Sequence, residues 1–177
     1  MALKVDLVEG TVEPRMDFDP FFRANVERVA RAAALVTRAR GAGQDLAQEA
    51  FTRLLERWSD MRSDEHARNF VYKVAINLAR SHLRKYRRVR LYGLRYPGDP
   101  SGSRAEASED WLEIVGALGA LSPRQRACVV LVDYVDMDSA GAARVLGVSA
   151  ETVRVHLMRG RQSLRTSLGL AWKGDET

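Results

Sequence analysis

Cysteine occurs once in this chain of 177 residues, at Cys128. A single thiol excludes any disulfide framework within the chain and any thiolate metal cage, and it suits a reducing compartment. Long apolar runs are missing too, since nothing approaches the roughly 18 consecutive apolar residues of a membrane-spanning helix. The first residues, MALKVDLVEGTVEPRM, place Asp6 and Glu9 where a secretory signal needs an unbroken apolar stretch. These absences point to a cytoplasmic protein with no membrane insertion. Histidine is scarce: His66, His82 and His156 stand apart from any carboxylate at metal-ligand spacing. There is no glycine-rich phosphate loop and no Gly-x-Ser-x-Gly elbow. The expectation is a protein that is not an enzyme and holds no cofactor or metal. Cys128, inside the run ACVVLV, reads as inert packing.

Proline is equally sparse. Its five positions, Pro14, Pro20, Pro97, Pro100 and Pro123, leave residues 21–96 and the chain beyond Arg124 free of that helix breaker. Apolar residues recur there at spacings of three and four. Phe22, Val26, Val29, Ala33 and Val36 predict a helix from Phe21 to about Arg40, ended by Gly41 and Gly43. Ala47, Phe51, Leu54, Leu55 and Trp58 predict a second helix over residues 44–58, and the polar residues 59–65 read as a loop. A long amphipathic helix follows from His66 to about Arg88, with Phe70, Val71, Val74, Ala75, Leu78 and Leu83 on its apolar stripe. Further on, Trp111, Ile114, Val115, Leu118 and Leu121 mark a short helix, and Ser122-Pro123 starts another that runs from Arg124 to Tyr134. No period-two alternation argues for a sheet, so the expected fold is all-α.

Acid is missing where base is dense. Between Arg68 and Arg95 stand nine basic residues and no acidic one, and between Glu151 and Arg165 four arginines face the single Glu151. Residues 99–113 hold five acids against Arg104. The formal charge of +5 is therefore two basic blocks separated by an acidic stretch, which suits a polyanionic partner. Residues 93–108, GLRYPGDPSGSRAEAS, carry three glycines and two prolines and read as a flexible linker. The expected organisation is an N-terminal helical domain over residues 17–92, that linker, and a C-terminal domain over residues 109–170.

The stretch SAGAARVLGVSAETVRVHLMRGRQSLR, residues 139–165, is the most informative. Ala142, Ala143 and Leu146 face inward from a short helix, Gly147 takes a positive-φ turn, and Ser149 caps a second helix carrying Val153, Leu157 and Leu164. This is the pattern of a helix-turn-helix. An ordinary helical hairpin is the plainer alternative. Against it stands the outward face of the second helix, Thr152, Arg154, Met158, Arg159, Arg161, Gln162 and Arg165, whose arginines suit phosphates or guanine edges.

Residues 121–165 resemble the promoter-reading C-terminal domain of the extracytoplasmic-function (ECF) group of bacterial sigma factors. DLAQEAFTRLLERW (residues 45–58) and ARNFVYKVAINLARSHLRKYRR (residues 67–88) resemble the N-terminal domain of the same group. The resemblance runs over about residues 17–167 in the family's order and spacing. It implies a factor that binds core RNA polymerase, directs it to promoter DNA, and has an anti-sigma factor as a potential third partner.

By this resemblance Asp45, Gln48 and Glu49, on the polar side of their helix, are assigned to polymerase binding. Their alternative role is to stabilise a helix N-terminus. The resemblance assigns Tyr72, Lys73, Asn77, Arg80, Arg84, Lys85, Arg87 and Arg88 to the minus-ten promoter element. Cations there would hold the backbone while aromatic and amide groups engage an unstacked base. Phe70 and Val74 are expected in the core, and for Tyr72 a half-buried packing role competes. The basic run from Arg84 to Arg90 also has a plain reading, as cations favour a helix C-terminus. Ser149, Glu151, Thr152, Arg154, Val155, Met158, Arg159 and Arg161 are assigned to the minus-thirty-five element. The chain departs from the family pattern at Asp136, Met137, Asp138 and Gly141, and at Val155 and His156, which bears on sequence preference more than on fold. The competing reading is a free-standing helix-turn-helix regulator, and a third is an interaction protein whose basic faces bind an acidic partner. The DLAQE helix argues against the regulator.

Overall fold

The computed structural model describes residues 17–91 and 108–169, and every regular element among them is helical. α1 spans Phe18–Thr37, α2 Arg40–Leu55 and α3 Asp64–Leu91, with a short 3-10 turn, Trp58–Asp60, after α2. In the C-terminal half α4 spans Glu109–Gly119, α5 Pro123–Val129, α6 Ser139–Leu146 and α7 Ala150–Ser167. α5 runs on into a π-helical turn, Val130–Tyr134. Apart from Ser108, which caps α4 by accepting from the Trp111 amide, the expected linker lies outside the described residues.

The helix starts follow capping chemistry. Asp17, Ser63, Ser122, Asp138 and Ser149 each accept a backbone N–H from the first turn that follows, which satisfies a donor with no partner inside the helix. At Ser122 the box closes reciprocally, with the Gln125 side chain accepting from the Ser122 amide at 2.9 Å.

One boundary differs from the sequence expectation. α1 ends not at glycine but at Arg38, whose φ of 61° is left-handed, and Gly41 and Gly43 fall inside α2. Gly43 serves a different purpose there. A Cβ at this position would stand 2.5 Å from the Ala30 carbonyl oxygen and 2.6 Å from the Ala34 methyl, so its bareness lets α1 and α2 cross at close range.

α1, α2 and α3 enclose Val29, Val36, Phe51, Leu54, Val71 and Ile76, closed at one end by the rings of Phe18, Phe21, Phe22 and Trp58. Leu131, Val145 and Val153 play the same part in the C-terminal half. The two halves do not stand apart, however: their buried residues form one continuous cluster, with α3 packed on α6 and α1 on α5 and the π-helical turn.

Polar contacts fasten this junction. Arg126, 5% exposed, donates from Nε to the Leu118 carbonyl (2.9 Å), from Nη1 to Val36 (3.0 Å) and from Nη2 to Leu121 (3.1 Å). One guanidinium thus serves carbonyls at the C-termini of both α1 and α4, where a cation also meets the negative end of each helix dipole. Burial, then the neighbouring cations Arg38 and Arg87, lower its pKa to about 10, so it remains charged at neutral pH. On the other side of α1, Arg28 donates from Nη2 to the carbonyls of Tyr134 (3.1 Å) and Val135 (3.0 Å).

Candidate nucleic-acid and polymerase interface

Three exposed helical faces carry the residues singled out in the sequence. On α2, Asp45, Gln48 and Glu49 all reach solvent, while Leu46, Ala47, Ala50 and Phe51 turn inward. The helix begins at Arg40 with no acid in its first turn, so Asp45 and Glu49 lie too deep to serve its N-terminus. Their exposure is left without that plainer explanation. Glu49 pairs with Arg53 one turn on, and the main-chain carbonyl of Gln48 accepts from the Thr52 hydroxyl at 2.9 Å.

On α3, Lys73, Asn77, Arg84 and Arg88 recur at helical spacing along one exposed stripe, flanked by exposed Lys85 and Arg87 and half-buried Arg80. Tyr72 is not on that stripe. It is 1% exposed, because position 72 falls with Val71, Ala75, Ile76 and Ala79 on the inward side. Its ring lines a cavity at the junction of the halves together with Arg28, Val135 and Asp136. Burial pushes its phenol up to about 12, so it is a neutral group. The expectation of a DNA-facing Tyr72 is corrected accordingly: in the packed arrangement it is a core residue. Phe70 and Val74 are half-buried against the core, as expected.

The helix-turn-helix forms as the sequence suggests. Asp138 caps α6, Gly147 turns the chain with φ of 67° while its amide donates to the Ala143 carbonyl at 2.9 Å, and Ser149 caps α7. Nothing crowds a side chain at position 147, so the positive φ alone is what favours glycine there. Ser149 and Thr152 are tied to each other, their hydroxyls 2.8 Å apart, so both are cap residues before they are contact residues. Glu151, Arg154, Val155, Met158 and Arg159 form the free outer face of α7, with Met158 61% exposed. Arg161 points elsewhere. Its guanidinium holds Asp133 of the π-helical turn through Nε and Nη2, which fixes α7 to the element before the motif.

Sequence reasoning missed the arginines that join the halves. Arg126 carried a usable signal, because it lies three and four positions before Val129 and Val130, on the buried face of α5. Arg28 and Arg38 carried none, as an arginine on the surface of a helix or at its end gives no periodic sign of a partner in the other half. Among the described residues no helix is long and apolar enough to cross a membrane, and no group of three or more His, Cys, Asp or Glu could hold a metal ion. Cys128 is buried, and burial raises its thiol to about 11.

The faces coincide with family boundaries. Residues 21–89 match the family model "Sigma-70 region 2", and residues 111–164 match "Sigma-70, region 4". The chain is 28% identical over 153 residues to the RNA polymerase sigma-E factor of Streptomyces coelicolor, covering 86% of each. It is 29% identical over 157 residues to the ECF RNA polymerase sigma factor SigM of Mycobacterium tuberculosis, covering 88% of this chain and 79% of that protein. Its fold is similar to that of the sigma factor RpoE in complex with the anti-sigma factor NepR from Bartonella quintana, with a TM-score of 0.72 at 19% identity, covering 88% of this chain and 99% of that one. CnrH in complex with the cytosolic domain of CnrY is similar at a TM-score of 0.65 and 22% identity, covering 88% and 89%. With both regions matched in order, the chain belongs to the sigma-70 family as an ECF RNA polymerase sigma factor.

Proposed function

We propose that the chain docks on core RNA polymerase through Asp45, Gln48 and Glu49 of α2, engages the minus-ten element with the exposed stripe of α3, and reads the minus-thirty-five element with the outer face of α7. The observation that carries this reading is the coexistence, in one chain, of two separate basic helical faces and an acidic-polar face that no helix terminus explains. Lys73, Arg84, Lys85, Arg87 and Arg88 supply phosphate contacts, and Asn77 supplies the amide for an unpaired base. On α7, Arg154 and Arg159 are the base- or phosphate-binding cations, while Val155 and Met158 offer apolar contact to thymine methyls. The work is done in the cytoplasm and without catalysis by the chain itself.

Geometry adds a condition. Promoter elements centred about 25 base pairs apart are separated by about 85 Å at about 3.4 Å per pair. A packed chain of this length measures only about 40 Å across by the usual scaling of compact proteins. Both elements can be read together only after the halves part, and parting would also uncover Tyr72 at the junction. The packed arrangement is therefore the unbound form, and an anti-sigma partner would act by holding the two faces away from polymerase. A free-standing regulator is the weaker reading, because it leaves the α2 face and the α3 stripe without a task.

The test is reconstitution with core polymerase and run-off transcription from a library of promoters. Transcripts starting at one recurrent two-part element support the reading. The Asp45→Arg, Gln48→Ala double variant should fold normally and lose at least tenfold in core binding. Unchanged core binding by that variant would remove α2 from the interface.

A further inference from the structure

A cleft of about 790 Å³ opens where the end of α1, the C-terminal part of α3 and the turn between α4 and α5 meet. Small-molecule sites are usually clefts of roughly 300 to 1,000 Å³. Three arginines line this one, Arg38 and Arg87 from the N-terminal half and Arg126 from the C-terminal half, and no acidic side chain among the described residues accompanies them. Tyr86 and Leu83 give the same cleft an aromatic and apolar wall.

Two features show that the cationic side is incomplete. Arg38 Nε is buried with no hydrogen-bond partner, which is costly for a donor on a charged group. Arg38, Arg87 and Arg126 also lie near enough that the first two add to the burial that depresses the third. An anion among them would relieve the repulsion. The guanidinium fork matches phosphate oxygens in geometry as well as charge. Gly119 makes the arrangement possible, since a Cβ there would stand 2.6 Å from Arg38 Nη1.

We propose that this cleft binds a nucleoside polyphosphate, its phosphates on Arg38, Arg87 and Arg126 and its base against Tyr86 and Leu83. The volume is far too small for a duplex, whereas a purine and its phosphates fit both the apolar wall and the cations. Because the arginines come from both halves, the ligand favours the packed arrangement over the parted one, as any ligand favours the state that holds it better. The cleft shares Arg87 with the proposed minus-ten face, while Arg38 and Arg126 lie outside the promoter reading.

The experiment is calorimetric titration of the full chain with ATP, with GTP and with inorganic tripolyphosphate. Arg38→Gly is the first variant: it deletes the guanidinium, and glycine suits the φ of 61° at that position, so the fold is spared. Gly119→Ala is the second, displacing the Arg38 guanidinium without touching its charge. Saturable one-to-one nucleotide binding is expected, weakened at least tenfold in either variant and at least tenfold weaker for tripolyphosphate. Absence of saturable binding by both nucleotides, or unchanged affinity in Arg38→Gly, overturns the site. Equal affinity for tripolyphosphate overturns the nucleoside assignment. Competitive displacement of nucleotide by promoter duplex, with a matching loss of duplex binding in Arg38→Gly, overturns it in favour of a DNA surface.

Discussion

Arg126 Nη1 lies 3.0 Å from the carbonyl oxygen of Val36, a residue 90 positions earlier in the chain. This contact crosses from the N-terminal half to the C-terminal half, and the same guanidinium donates to Leu118 and Leu121. Arg126→Ala removes three hydrogen bonds from a charged group and leaves the Leu118 carbonyl only its bond from the Leu121 amide, a loss of about 2 to 4 kcal/mol. Urea unfolding should show the deficit, and scattering of the folded variant should show a larger radius of gyration. An unchanged midpoint and radius would mean that the apolar cluster alone holds the halves together.

Arg154 stands free on α7, whereas Arg161 is held by Asp133. Arg154→Ala should therefore weaken binding to the upstream element by about 1 to 3 kcal/mol and relax preference at one base pair if the arginine reads a base. Asp133→Asn should instead strengthen duplex binding of any sequence by freeing a cation, with a steeper salt dependence. Filter binding across a salt series separates the two. Equal loss on every sequence in Arg154→Ala would make that residue a phosphate contact.

Asn77 is exposed where Tyr72 is buried, and the two should behave differently. Asn77→Ala should leave stability and core binding intact yet impair promoter opening, read as lost permanganate reactivity of unpaired thymines. Tyr72→Ala should cost about 3 to 5 kcal/mol of stability, as large aromatic truncations in a core do. Full opening by Asn77→Ala would take that residue out of the site.

His82 is half-buried on α3, and burial first, then Lys85, lowers its pKa below 6.5, with Asp45 pulling weakly the other way. The unfolded chain accepts a proton near pH 6.5 that the folded chain resists. The sign follows from linkage: stability is full above that pH and is lost as pH falls through it. Urea midpoints should drop between pH 7.5 and 5.5, and His82→Gln should flatten that drop. A midpoint that rises on acidification would reverse the assignment.

Much of this was legible in the sequence for identifiable reasons. The apolar stripes of α1, α2 and α3 are long enough for helical periodicity to stand out, and Ser122-Pro123 and Ser149 mark starts that side-chain oxygens cap as expected. The end of α1 was illegible because Arg38 adopts a conformation that favours glycine, and the glycines nearby serve other needs. Tyr72 was ambiguous because tyrosine is amphipathic, and only the packing of α3 decided its side. The joining of the halves left no periodic trace at all. It depends on arginines and main-chain carbonyls, and carbonyls are invisible in a sequence.

Gly43 sets the rotational phase of α2. At 3.6 residues per turn each residue advances a helix by about 100°, and α2 lies this close to Ala30 and Ala34 at Gly43, where no side chain holds them off. The acidic-polar face two to six positions later is therefore aimed by an atom that is missing. A single residue inserted between Gly43 and Asp45 would swing Asp45, Gln48 and Glu49 through about 100° and carry Leu46, Ala47, Ala50 and Phe51 out of the core with them, so the face cannot be re-aimed without unseating the helix. Within this fold, the position without a side chain fixes which way the acidic-polar face of α2 points.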